Sequence, residues 1–465
     1  MGELEGPLSF AQIRELRQAR TDGFKTRLSM EPQTYIIILL VTFSVCLLIG
    51  IPIAICIGVA TLAYFLMNSS ASNFILMLPS GMFQGIDSFV IMAVPFFMLA
   101  GELMNSSKVT DRLMILADVM VGRIRGSLAY ANVIASFLFA GISGAAVSDV
   151  AALGSIEIPA MKKQGYDEAF AAAVTVASSL VGPIIPPSII MVIYGSTMGV
   201  SIALLFAAGI LPGLLMLIFT CGYVYWMSKR RNYPIRSERT TYRRKIMALK
   251  ESSLALLMPT IIIGGILGGV FTPTEAATVA IFYALFLGVF VYRELTPRKI
   301  IQCVLNAGVS SSSIFLIIAV SIAFKWVLSI LNVPTVLLNL LYSISSNKWV
   351  LISVLNVFFL IMGMFLEPGA AIILLGPIFA PAMKMLGFDP LHFGIIMVFN
   401  MCIGLATPPV GLCLFAACSI TKNTSVEKLS RETAPFIVIY LVILGLITYF
   451  PNIALWLPRI VQKLL

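Results

Sequence analysis

From Tyr35 to its end the chain is written in long apolar blocks, and this constrains it more than any motif. A helix needs about 20 largely apolar residues to cross a bilayer, and the blocks leave room for roughly ten to twelve crossings. Charged residues make up 11% of the chain, against roughly a quarter in an ordinary soluble domain. A water-soluble globule is excluded, and the reading is an all-α polytopic membrane protein.

The remaining composition narrows the chemistry. Seven cysteines stand singly within apolar stretches with no CxxC pair, and the single histidine is His392. No disulfide framework, zinc motif or Ser/His/Asp triad follows from them. The net charge of +10 is concentrated rather than spread: nine of the 31 basic residues fall between Lys229 and Lys250. Short basic loops stay on the cytoplasmic side, so residues 228–250 are placed there, against lipid headgroups rather than nucleic acid. Residues 1–33 form a polar tail of mixed charge, with a helix expected from Phe10 to Arg20 and no function assigned.

Two segments, about 141–160 and about 363–382, carry too much Gly, Ser and Pro for a regular spanning helix and too few charges for an aqueous loop. Non-helical backbone at membrane depth survives only where protein or a water-filled cavity satisfies it, so both are candidate re-entrant hairpins. They are also copies. Shifted by 222 residues, Gly141 falls on Gly363, Gly154 on Gly376, PAMKKQGYD (159–167) on PAMKMLGFD (381–389), Gly182 on Gly404 and Pro186-Pro187 on Pro408-Pro409. The first membrane repeat is read as 34–227 and the second as 251–465. An odd number of crossings per repeat inverts the second copy, the architecture of many secondary transporters, whose sites lie where broken helices meet at the midplane.

Each half therefore offers a hairpin followed by a helix broken at a double proline. Proline lacks the N–H that would satisfy the carbonyl one turn back, and uncharged oxygens without several carboxylates suit a monovalent hard cation better than calcium or magnesium. Satisfaction of the kink by neighbouring hydroxyls is the plainer alternative. Intramembrane carboxylates mark function by default, which singles out Asp149 and Glu367, although interfacial placement or ion pairing accounts for them equally. Asp167 and Asp389, each after Gly and an aromatic, are expected to cap the helices that follow. Glu102, Glu275 and Lys325 receive no direct role.

The run from Gly141 to Gly195, together with FTPTEAA at 271–277, resembles the large membrane subunit of tripartite ATP-independent periplasmic (TRAP) transporters. The resemblance covers essentially everything from Tyr35 onward. It implies a sodium-driven importer of small organic acids in a bacterial inner membrane, not an enzyme, working by an elevator motion. It also implies a small four-helix membrane subunit and a soluble periplasmic binding protein as partners. Carried over by position, one sodium site involves Ser143, Gly182, Ile185 and Pro187, and the other Gly363, Gly404, Thr407 and Val410. Candidate substrate contacts are Ser143, Gly144, Ser148, Asp149, Pro186, Ser188, Glu367 and Pro408. The competing readings are a self-sufficient anion carrier or antiporter, a passive channel, and a membrane enzyme using Asp149, Glu157 and Glu367 on lipid-linked substrates.

Overall fold

The computed structural model describes residues 32–68, 76, 78–235, 242–421 and 424–464. The polar tail through residue 31, with its expected helix, and Arg236 and Arg239 of the basic loop lie outside the described residues. Those described form twenty α-helices and no strand. In chain order the first ten are α1 (Pro32–Leu48), α2 (Ile53–Met67), α3 (Leu78–Ile86), α4 (Ala93–Ser106), α5 (Val109–Val121), α6 (Ser127–Ser143), α7 (Ala146–Lys163), α8 (Glu168–Ser179), α9 (Ile189–Met198) and α10 (Ile202–Arg230). The second ten are α11 (Tyr242–Leu267), α12 (Pro273–Phe286), α13 (Pro297–Ile330), α14 (Val333–Ile344), α15 (Lys348–Phe365), α16 (Pro368–Met385), α17 (Pro390–Gly404), α18 (Leu412–Ile420), α19 (Val426–Tyr449) and α20 (Asn452–Leu464).

The described residues divide into two units. The smaller comprises α1 to α3 with residues Leu316–Val333. Tyr35 and Tyr64 meet edge to face across α1 and α2, and Phe65 stacks on Trp326. Leu40, Val41, Leu48 and Leu66 are exposed, as a bilayer-facing surface requires.

The larger unit holds both candidate hairpins. Its two centremost helices, α8 and α17, are buried along nearly their whole length, which is the position of a helix that is hydrophobic on all sides. Asp167 caps α8 by accepting the Ala169 and Phe170 amides, and Asp389 caps α17 through Leu391 and His392. A buried polar seam fastens α6 to α8: Asn132 donates to Thr175 (2.7 Å), and the Ser136 and Ser178 hydroxyls meet at 2.8 Å. The second half uses amides instead, with Asn400 donating to Asn356 (2.9 Å) and Asn356 to Thr448 (3.0 Å). At the surface the hydrogen bond from Lys108 (2.9 Å) holds the Glu294 carboxyl below the usual carboxylate range and pins the α12–α13 connection to the start of α5.

The 222-residue register runs through the helices themselves. Ala146 and Glu168, which open α7 and α8, fall on Pro368 and Pro390, which open α16 and α17. The packing is reciprocal: α9 lies on α16, and α18 lies on α7. A Cβ on Gly376 would stand 3.1 Å from Met198, and one on Gly154 would stand 3.2 Å from Ile420. Gly154 and Gly376 are register partners, and so are Met198 and Ile420. Contacts in which i touches j while the partner of j touches the partner of i are the mark of two-fold-related segments.

The first hairpin turns at Gly144, in left-handed conformation at φ +62, and at extended Ala145. Its first arm reaches back to Ser127, into text that reads as a separate apolar block, because spans and hairpin arms have the same hydropathy. Among the described residues seven helices are long and apolar enough to cross a membrane. One of them, Pro368–Met385, buries 72% of its apolar window inside the protein against 28–50% for the other six. That degree of enclosure identifies it as an inner hairpin arm rather than a lipid-facing span.

Gly154 has no room to grow, since Ile420, Ile158 and Thr175 all lie 3.2–3.3 Å from its Cβ position. Gly154→Leu should lower stability by about 1–3 kcal/mol, the usual cost of overpacking, read as a lower unfolding temperature in detergent. Gly445→Ala, with nothing within 4 Å of the new methyl, should leave that temperature unchanged or raised.

Candidate functional site

The first break, residues 180–188, is buried at every position. Helix α8 ends as a loosening turn, with Val181, Gly182 and Ile184 donating to carbonyls three residues back. The Ser188 hydroxyl restarts the helix by accepting the Met191 amide (3.2 Å) and donates to the Pro183 carbonyl. Pro186-Pro187 is a cis peptide, and so is Pro408-Pro409. The hairpin tip closes directly over this segment: a Cβ on Gly144 would sit 2.6 Å from the Pro187 carbonyl oxygen. Any side chain there would push the tip off the break.

Beside the same break lies Asp149, fully buried in the first turn of α7. Its Oδ1 accepts a hydrogen bond from Ser143, and its Oδ2 has no partner. Oδ2 is 2.7 Å from the Cβ position of Gly182, and the Ser179 backbone carbonyl is 3.2 Å from the same position. The structure thus gathers Ser143, Asp149, Ser179, Gly182 and Pro187 around one point. Carboxylate, hydroxyl and carbonyl oxygens of this kind form a hard donor set, and a buried carboxylate oxygen in want of a partner fits a cation there.

In the second half, Gly363 and Gly404 meet backbone to backbone, with a Cβ on Gly404 falling 2.3 Å from the Gly363 carbonyl carbon. The Thr407 hydroxyl donates to Ile403 (2.8 Å), and the Thr407 carbonyl lies 3.1 Å from the Cβ position of Gly411. This break is more open: Thr407 and Val410 are half-buried, and Pro408 and Pro409 are exposed. Glu367 caps α16 by accepting the Ala370 amide (2.9 Å), so its carboxylate serves the hairpin as an N-cap.

A cavity of about 80 Å³ opens at the first hairpin tip. Of the residues proposed for substrate, Ser143 and Ser148 line it, and Gly144 lies in the turn between them. Pro186 and Ser188 are buried beneath the tip, the latter occupied as a cap, while Glu367 and Pro408 belong to the other half. Ile185, carried over as a sodium ligand, has its side chain packed on Gly213 of α10, leaving only its backbone for such a role. The opposite cavity wall is Glu102 and Asn105 of α4 with Ser310 of α13. Nothing local in the sequence brings α4 to the tip; the lack of a side chain at Gly101, where a Cβ would stand 3.6 Å from Ser143 Cα, is the one signal available.

Two substitutions test this geometry. Ser143→Ala leaves both Asp149 oxygens unpartnered in the interior and should weaken transport at least tenfold without preventing insertion, about the cost of one buried charge-assisted hydrogen bond; unchanged uptake would count against a role for the pair. Gly404→Ala drives a methyl into the Gly363 backbone, and melting of the purified protein should fall by an amount that Gly445→Ala does not reproduce.

Comparison with known proteins accords with this architecture. The family model of the tripartite ATP-independent periplasmic transporter DctM component matches residues 40–453. The sialic acid TRAP transporter large permease protein SiaM of Vibrio cholerae serotype O1 is 38% identical over 413 residues, covering 88% of this chain and 95% of its own. The isethionate TRAP transporter permease protein DctMQ of Oleidesulfovibrio alaskensis is 40% identical over 415 residues, 89% of this chain but 65% of its own longer one. Among solved structures, the YdaH transporter of Alcanivorax borkumensis superposes with a TM-score of 0.58 at 14% identity, covering 83% of this chain and 90% of that one, a likeness of fold alone. With the family model spanning the membrane body and a relative matched along nearly its full length, the chain belongs to the DctM family as a TRAP transporter large permease, a multi-pass inner-membrane transport protein rather than an enzyme.

Proposed function

We propose that this permease imports a small organic acid together with sodium ions, receiving the acid from a periplasmic binding protein and working alongside a small four-helix membrane subunit. The observation that carries the reading is the duplicated pairing of a glycine-tight hairpin with a Pro-broken helix. Each pair assembles oxygen donors without basic side chains, and the two relatives are named for sialic acid and isethionate, both organic acids.

In this reading one sodium ion is held by Ser143, Gly182, Ile185 and Pro187, chiefly through backbone carbonyls, with the orphaned Asp149 oxygen supplying the negative charge. The other is held by Gly363, Gly404, Thr407 and Val410. The acid group lies at the first hairpin tip, where the α7 amides and the positive end of its dipole favour an anion. The interlocked hairpins and breaks then travel as one block past the remaining helices, an elevator motion with the second repeat inverted relative to the first.

The test is reconstitution of the chain with its small subunit in liposomes, with candidate binding proteins carrying labelled organic acids. Uptake should require both the binding protein and an inward sodium gradient, and potassium should not replace sodium. Uptake indifferent to both would overturn the reading in favour of a stand-alone carrier or channel.

A further inference from the structure

The cavity at the first hairpin tip carries a charge that an importer of anions does not need. It is lined on one side by Ser143, Ala145 and Ser148 and on the other by Glu102, Asn105 and Ser310, and no basic residue lines it. Glu102 has no ion-pair partner among the described residues; Lys108, six residues on, is committed to Glu294 at 2.9 Å. The Glu102 carboxylate accepts a long hydrogen bond from the Asn306 amide at 3.5 Å. That amide is itself oriented by Gln302, which donates to Asn306 Oδ1 at 2.8 Å. The Cys303 thiol donates to the Glu102 carbonyl and meets the Ser106 hydroxyl, so α13 holds this turn of α4 in place. The carboxylate, without a counter-charge, is thus held in the wall that faces the tip.

The two ends of the cavity therefore want different things. The hairpin end offers hydroxyls and the amides that open α7, which suit one acid group. The α4 end offers the Glu102 carboxylate beside the neutral Asn105 amide and Ser310 hydroxyl, so the one charge there is negative. A second acid group placed there would face Glu102 at like charge, whereas a hydroxyl or amine would donate to it. The volume of about 80 Å³ brings the two ends within reach of one compact molecule.

We propose that Glu102 is a specificity residue that excludes dicarboxylates, so that the transported acid is a monoanion bearing a hydroxyl or amino donor at the end away from its acid group. This rests on the reading of the hairpin tip as the acid-binding end. It adds which acids can occupy it.

The matched probes are glycerate and tartronate, which share a three-carbon hydroxy-acid frame and differ in that a terminal hydroxymethyl of the first is a carboxylate in the second. Binding of each is measured directly on the purified complex of this chain with its small subunit, in sodium, so that selectivity of a delivery protein does not enter. Glycerate should bind at least about tenfold more tightly than tartronate, the size of effect expected from like charges sharing a partly wetted cavity. Glu102→Gln should erase the preference by raising tartronate affinity about tenfold while glycerate changes little, and Glu102→Asp should keep it. A wild-type preference for tartronate, or a Glu102→Gln variant that shifts both acids equally or neither, overturns the inference. Binding of neither acid by a complex whose sodium-driven uptake of a delivered acid is intact overturns it as well and spares the underlying reading; absence of sodium-driven uptake for every acid overturns that reading.

Discussion

A proline pair inside a buried helix leaves carbonyl oxygens without their donors, and in a bilayer only protein or a water-filled cavity can replace them. The first break answers this with closure. Its every residue is buried, the Ser188 hydroxyl turns back onto Pro183, and the hairpin tip lies on the Pro187 carbonyl at a position where Gly144 alone leaves room. The second break answers with groups of its own: the Thr407 hydroxyl donates to the Ile403 carbonyl, and the Cys413 backbone amide donates to the Leu405 carbonyl (3.0 Å) across the prolines. A hairpin beside each break is thus a consequence of the break, since a helix interrupted at that depth needs a second backbone pressed against it.

The two solutions are not independent. Helix α9 resumes after the first break and lies on the arm of the second hairpin, while α18 resumes after the second break and lies on the arm of the first. Tyr194 extends the tie, its ring against Gly394 and its hydroxyl donating to the Pro390 carbonyl at 3.1 Å. Displacing either hairpin alone would strip the opposite half-helix of its packing. The interlock therefore makes the hairpins and broken helices one mechanical body, which is the property that a moving block requires.

Much of this was legible in the sequence. The paired prolines and the caps at Asp167 and Asp389 are local patterns, and the offset of 222 residues is read by laying one half of the text on the other. What stayed hidden depends on distant neighbours. Hydropathy cannot separate a span from a hairpin arm, so the first hairpin reads as about 141–160 although its first arm begins at Ser127. Ser188 follows two prolines and has the chemistry of a ligand, yet its hydroxyl is occupied as an N-cap. Glu102 looked like one more isolated acid, because the α13 residues that orient it lie about 200 positions away in the chain. The Thr272-x-x-Glu275 capping box was readable by its spacing, and the structure gives Glu275 that structural task.

Departures from the repeat are as informative as the repeat. In the second half α13 runs unbroken for 34 residues, where the same register in the first half passes through α3 and α4 with residues 87–92 between them. That interruption obeys the rule that governs the prolines: a carbonyl freed at Phe89 is taken up by the Thr274 hydroxyl of α12 at 2.8 Å. Helix α4 begins afresh at Ala93, brings Gly101 within van der Waals distance of Ser143 and sets Glu102 in the wall that faces the tip. The register partner of Glu102 is Phe324, within the uninterrupted helix. The register thus relates two comparable oxygen-lined breaks, and the departure from it at α4 sets a carboxylate beside the first hairpin tip.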